Sequence, residues 1–276
     1  MQLLISVAGP ADARAALLGG ADVIDAKDPR HGALGPVPLR RLAAIRATVA
    51  GARPLSAALG DAAREDALAG AVAAAATLGV VFVKVGFAVV TSEVRARRLA
   101  VAARQRAEGE TRLVLVAYAD WRHAESLAPA RLVSIAADAG AAGVLLDTAS
   151  KSAPLFAIQP VASVAAWVAA AHAAGMFAAL AGSLSGPDLA PARALGADLV
   201  GVRGAACVGG RTGRVSRPRV AALRASAGAA PPPPPPPPPP ASRVLVGRGI
   251  LPERDVELPE IVRRYDEMLH AVRERA

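Results

Sequence analysis

Lysine is nearly missing from this 276-residue chain: 29 of its 32 basic side chains are arginine, and only Lys27, Lys84 and Lys151 are lysine. Cysteine is rarer still. Cys207 stands alone, so no intramolecular disulfide framework can form. Aromatic residues make up 3% of the chain, which leaves few platforms on which nucleic-acid bases could stack. No apolar run reaches the roughly 18 to 20 residues that a membrane span needs without a charge or a helix breaker. The start of the chain, Met1–Val7, is apolar but short and lacks the form of a signal peptide. The four histidines, His31, His123, His172 and His270, show no close metal-ligand spacing. These absences predict a soluble cytoplasmic protein with no membrane partner and no metal or other cofactor.

The net charge of +9 and pI near 11.0 invite a nucleic-acid reading. The arginines are scattered over most predicted helices, with their densest group, Arg211, Arg214, Arg217 and Arg219, at one loop. A diffuse surplus lacks the focused patch that such binding uses, so no nucleic-acid partner is expected.

What the chain has in abundance is apolar character, at 53% of residues, arranged as an alternation. Short aliphatic runs at 3–7, 23–27, 55–59, 80–86, 113–118, 143–147, 177–181 and 199–203 predict strands. Between and after them, Ala-rich stretches at 11–19, 38–50, 64–78, 92–107, 128–139, 160–174, 187–195 and 216–226 predict helices. Eight strand–helix pairs are the count of a closed (β/α)₈ TIM barrel, an α/β fold. An open doubly wound sheet is the alternative. It would favour a Gly-rich dinucleotide turn after the first strand, and Val7-Ala8-Gly9-Pro10 is not one.

The predicted barrel spans residues 1–226 and is followed by an Ala/Pro-rich linker at 227–241. Its ten consecutive prolines, Pro231–Pro240, would form a stiff rod about 31 Å long at ~3.1 Å per residue. Residues 242–276 read as a helical tail, too small for a core of its own.

In a barrel the chemistry sits at the carboxyl ends of the strands, and the lysines fall there. Lys27 ends the second predicted strand, Lys84 lies near the end of the fourth, and Lys151 follows the sixth. Asp25 shares a strand face with Lys27, and Asp147 ends the sixth strand beneath Lys151. Arginine cannot form an imine and is too basic to release a proton, so a lysine kept in such a background does what arginine cannot. Clustering and desolvation favour a neutral amine, able to attack a carbonyl. The bland alternative is that each lysine merely pairs with its nearby aspartate. After strands seven and eight, the loops Ala181-Gly-Ser-Leu184 and Val202-Arg-Gly-Ala-Ala206 are small enough for backbone N–H groups to cradle a phosphate. Gly182, Ser183, Arg203, Gly204 and Ala205 are the candidates. Asp120, ending strand five, is a candidate substrate contact, as is His31. Cys207, Trp121 and Trp167 read as packing residues.

Several strings are more specific. Ala21-Asp-Val-Ile-Asp-Ala-Lys-Asp-Pro29 with Gly32-Ala-Leu-Gly35, Val83-Lys-Val-Gly86, Ala117-Tyr-Ala-Asp120, Leu146-Asp-Thr148 and Val200-Gly-Val-Arg-Gly-Ala-Ala-Cys207 resemble the (5-formylfuran-3-yl)methyl phosphate synthase family over roughly residues 1–225. The resemblance implies a methanofuran-pathway enzyme that condenses two molecules of glyceraldehyde 3-phosphate, with loss of phosphate and water. It implies an imine at Lys27, with Lys84, Lys151, Asp25 and Asp147 at the other active-site positions. A class I aldolase for a different sugar phosphate, a phosphate-binding isomerase, and a scaffold docking through Pro231–Pro240 are the competing readings. Expected partners are a small phosphorylated substrate and, left open, further copies of the chain in a homo-oligomer.

Overall fold

Residues 1–228 are described by the structure, a computed structural model; the polyproline linker and helical tail expected from the sequence lie outside them. Eight parallel strands close into a barrel in chain order: β1 (Gln2–Val7), β2 (Val23–Ala26), β3 (Leu55–Asp61), β4 (Phe82–Gly86), β5 (Arg112–Tyr118), β6 (Gly143–Asp147), β7 (Phe177–Leu180) and β8 (Leu199–Val202). The ring is sealed where β1 pairs with β8, Leu3 opposite Val200. Helices α1 (Pro10–Leu18), α2 (Leu39–Val49), α3 (Glu65–Thr77), α4 (Glu93–Arg106), α5 (Pro129–Asp138), α7 (Val161–Ala173), α8 (Gly186–Ala194) and α9 (Arg217–Ser226) surround it. The predicted (β/α)₈ architecture is the observed one.

Local chemistry explains the punctuation. Pro10, Pro129 and Pro218 sit in first turns, where a missing N–H costs nothing. Gly20, Gly140 and Gly196 carry φ of 87°, 67° and 83°, a left-handed turn that ends each helix and launches the next strand. Along α2, Leu39, Leu42, Ile45 and Val49 form the buried face, and each such side chain contributes about 1.5–3 kcal/mol by leaving water.

Strand alternation divides the apolar residues into two clusters. Leu3, Ile5 and Val7 point outward and pack beneath the helices. Leu4 points into the barrel, where it meets Val23, Val114, Leu145 and Leu199. The same alternation turns Asp25 and Lys84 inward.

Three elements were not foreseen: a one-turn helix α6 (Leu155–Ile158), a 3₁₀ turn at Gly204–Ala206, and a small hairpin of β9 (Cys207–Val208) and β10 (Arg214–Val215). Each is too short to leave a periodic signature. The strand predicted to include Lys27 ends at Ala26, although the Lys27 N–H still donates to the Val7 carbonyl at 3.0 Å.

Candidate active site

A cavity of about 320 Å³ opens at the carboxyl ends of the strands and descends inside the barrel. Its lower wall is apolar, reaching Phe82 and Phe177, which meet edge to face at 5.5 Å. Its upper wall holds Lys27, Lys84, Lys151 and Asp147. The three lysines of the chain therefore share one space.

They are not equivalent within it. Lys84 Nζ lies 2.6 Å from Asp25 Oδ1, and the other oxygen of Asp25 accepts from Ser6 Oγ at 2.9 Å. Burial opposes ionisation of Asp25. The Lys84 and Lys27 charges, with hydrogen bonds from Lys84 and Ser6, outweigh it and hold the carboxyl below its ordinary range. Lys151 Nζ lies 2.6 Å from Asp147 Oδ1, which also accepts from the Thr148 N–H at 2.7 Å. Burial again opposes ionisation of Asp147, and the Lys151 and Lys27 charges overcome it. Lys27 has no carboxylate within ion-pair distance among the described residues. Burial pushes its ammonium down to about 8, assisted by the Lys84 and Lys151 charges and opposed by those of Asp147 and Asp25. Pairing each lysine with its neighbouring aspartate thus describes two of the three and leaves Lys27 apart.

The loops expected to hold an anion, after β7 and β8, both line the cavity, and Arg211 lines it beside Arg203. Gly182 and Ser183 line the cavity and take φ of 104° and 53°, consecutive left-handed positions of the kind that build backbone anion nests. A Cβ on Gly182 would stand 2.9 Å from Thr148 Cγ2, so glycine is required there. Ser183 carries the roughly 1–2 kcal/mol cost of the left-handed region. Gly204 and Ala205 line the facing side. Among the described residues, the N–H groups of Ser183, Gly204 and Ala205 find no protein acceptor.

Arg203, expected to bind substrate, lines the cavity but is committed elsewhere. It donates to Asp12 Oδ2 at 2.8 Å and to the carbonyls of Ser6, Arg211 and Gly213 at 2.9, 3.0 and 2.8 Å. Its guanidinium is a strut joining β1, α1 and the hairpin. Asp120, unlike Arg203, is not among the residues that line the cavity. Its oxygens accept from the N–H groups of Ala149 and Ser150, fixing the loop that carries Lys151. His31 faces Asp28 at 3.3 Å rather than the cavity. Cys207 is buried, and burial raises its thiol pKa. Trp167 is buried against α5 through Pro129, whereas Trp121 lies beneath the Arg122 guanidinium at 4.3 Å.

Besides Ser185 at the start of α8, three polar wall residues escaped the sequence reading: Ser6, Ser56 and Arg211. Ser56 Oγ is fully buried without a hydrogen-bond partner among the described residues. Strand alternation could have placed both serines inward; nothing in the sequence distinguished Arg211 from its neighbours. Among those residues, no helix is long and apolar enough to cross a membrane.

A closed parallel barrel with three lysines and two aspartates gathered at the carboxyl ends of its strands defines the class, a barrel enzyme. The solved structures it resembles share that fold: phosphoribosyl anthranilate isomerase from Thermus thermophilus (TM-score 0.54, 15% identity, 82% of this chain and 98% of that one) and 3-hexulose-6-phosphate synthase (TM-score 0.54, 16% identity, 82% and 99%). Sequence defines the family more closely. Residues 3–224 match the 4-HFC-P synthase family, to which this chain belongs. Its relatives include the (5-formylfuran-3-yl)methyl phosphate synthases of Methanosarcina barkeri, 33% identical over 81% of this chain and 97% of the relative, and of Methanothermobacter thermautotrophicus, 34% identical over 81% and 98%. A protein described as a putative synthase of the same name in Streptomyces griseus is 38% identical over 82% of this chain and 94% of its own length.

Proposed function

We propose that this chain is a (5-formylfuran-3-yl)methyl phosphate synthase of methanofuran biosynthesis, joining two glyceraldehyde 3-phosphate molecules through an imine on Lys27. The observation that carries the reading is the isolation of Lys27. It is buried in the cavity wall, unpaired, and depressed to about 8, while its two companions are locked to carboxylates. At pH 7 roughly a tenth of such an amine is neutral, about 300 times the neutral fraction at the ordinary lysine pKa.

The neutral amine attacks the aldehyde carbon of a triose whose phosphate rests on the N–H groups of Ser183, Gly204 and Ala205. Loss of water gives an imine whose protonated form is favoured by Asp147, the strongest favourable charge on Lys27. That cation acidifies the adjacent C–H, and the resulting enamine is the carbon nucleophile toward the second aldehyde. Asp147 with Lys151, and Asp25 with Lys84, are the two proton-exchanging pairs available for elimination and ring closure. Atoms balance when two trioses yield the furan aldehyde phosphate, one phosphoric acid and two waters. No external oxidant or reductant is needed.

The test is borohydride reduction of the full chain in the presence of glyceraldehyde 3-phosphate, followed by peptide mass analysis and a scan for a furan chromophore. A reduced adduct on Lys27, absent from Lys27→Arg, together with the chromophore supports the proposal. An adduct that persists undiminished in Lys27→Arg refutes the imine assignment. An adduct without a furan points instead to a class I aldolase acting on another sugar phosphate.

A further inference from the structure

The cradle formed by Ser183, Gly204 and Ala205 supplies neutral donors, and the arginine nearest in sequence, Arg203, has spent its guanidinium on Asp12 and three carbonyls. Lys84 and Lys151 are committed to Asp25 and Asp147, so a dianionic phosphate at the cradle calls for a cation of its own. The positive charge comes from the hairpin. Arg211 lies in the cavity wall, and its backbone N and Cβ lie 4.0 Å from where a Gly204 Cβ would stand, so it covers the cradle directly. Its guanidinium has no carboxylate within ion-pair distance among the described residues. It donates only to the carbonyls of Pro29 and Gly32. A guanidinium has five N–H donors in a planar fork, so donors are left over on a residue that lines the cavity.

We infer that Arg211 is the phosphate-recognising cation of this site, a specificity residue for phosphorylated substrates; the inference rests on the function proposed above. Its two carbonyl partners lie in the loop that begins one residue after Lys27. That loop is held in shape by the Asp28 N–H donating to the Gly35 carbonyl at 2.8 Å. A single side chain therefore ties the phosphate end of the substrate to the segment carrying the reacting amine. Arg203 supports it from behind, donating through Nε to the Arg211 carbonyl at 3.0 Å.

The experiment compares wild-type, Arg211→Gln and Arg211→Lys full-length chains. It follows the rate of borohydride trapping with glyceraldehyde 3-phosphate and with unphosphorylated glyceraldehyde, and the affinity for inorganic phosphate by calorimetry. Glutamine keeps a donor for the loop carbonyls but removes the charge. Arg211→Gln should slow trapping of the phosphorylated aldehyde by roughly ten- to a hundredfold, the worth of a charged hydrogen bond. Trapping of glyceraldehyde should slow far less than that of the phosphorylated aldehyde, and phosphate affinity should weaken in parallel with the latter. Arg211→Lys should fall between, since a point charge replaces a fork. Equal slowing with both aldehydes would reduce Arg211 to a loop strap and overturn the inference. So would a phosphate affinity untouched by the substitution or absent from the wild type. If the wild type makes no furan or traps neither aldehyde, the proposed reaction fails, while loss of phosphate binding in Arg211→Gln still upholds Arg211.

Discussion

Lys27 pays for its reactivity in stability. Its folded pKa of about 8 lies below the ordinary value of 10.5, so the folded chain binds fewer protons than the unfolded chain between those limits. The unfavourable contribution is fully present below pH 8 and disappears as pH rises through 10.5; by linkage it is on the order of 3 kcal/mol. Lys27→Met should therefore abolish trapping yet raise the Tm at pH 7 by several degrees, with the gain shrinking toward pH 10; a lowered Tm in thermal scans at pH 7 would contradict this. In the wild type, the rate of imine trapping should rise with pH about a midpoint near 8, and a midpoint near 10 would remove the argument. Asp25→Asn leaves Lys84 buried without a countercharge and should cost about 3–5 kcal/mol in denaturant unfolding. At this scale much was legible in the sequence. Lysine scarcity led to all three wall lysines, and strand periodicity brought Asp25 inward. Which lysine stays unpaired among the described residues was not legible, because Asp25 lies two residues from Lys27 yet binds Lys84 two strands away.

Among elements, the β9–β10 hairpin does the most with the least chain. Gly213 is indispensable to it, since a Cβ there would stand 1.9 Å from the Val208 carbonyl oxygen. Gly213→Ala should disturb the hairpin, lose the Arg203 contact to the Gly213 carbonyl, and weaken inorganic phosphate affinity as Arg211→Gln does, without changing the far-ultraviolet spectrum of the barrel. Preserved phosphate affinity would show that the hairpin does not set the cradle. Arg203→Met should act differently. Removing a buried strut strands Asp12 and lowers the unfolding midpoint, a loss of about 3–5 kcal/mol. The eight strands and eight principal helices could be read from apolar period and glycine placement. The hairpin could not, because two-residue strands have no period to detect. The presence of Arg211 in the cavity wall beside Arg203 follows from it, since no spacing rule tells which arginine of a folded-back loop meets the cavity.

For the whole molecule, the barrel elements run from Gln2 to Ser226, and among the described residues those of the cavity wall fall between Leu4 and Arg211. A chain ending at Gly228 should fold with an unchanged Tm and keep its trapping rate; a substantial loss of either would assign the last 48 residues a part in the site. The lysine distribution has a further consequence at this scale. On the proposed reaction the substrate is an aldehyde, and any accessible side-chain amine would condense with it and glycate the protein. Here Lys27 and Lys84 are buried, Lys151 is half-buried against Asp147, and the remaining basic residues are guanidinium groups that form no imine. An aldehyde diffusing over the exterior meets arginine everywhere and finds its first side-chain amine only after entering the barrel.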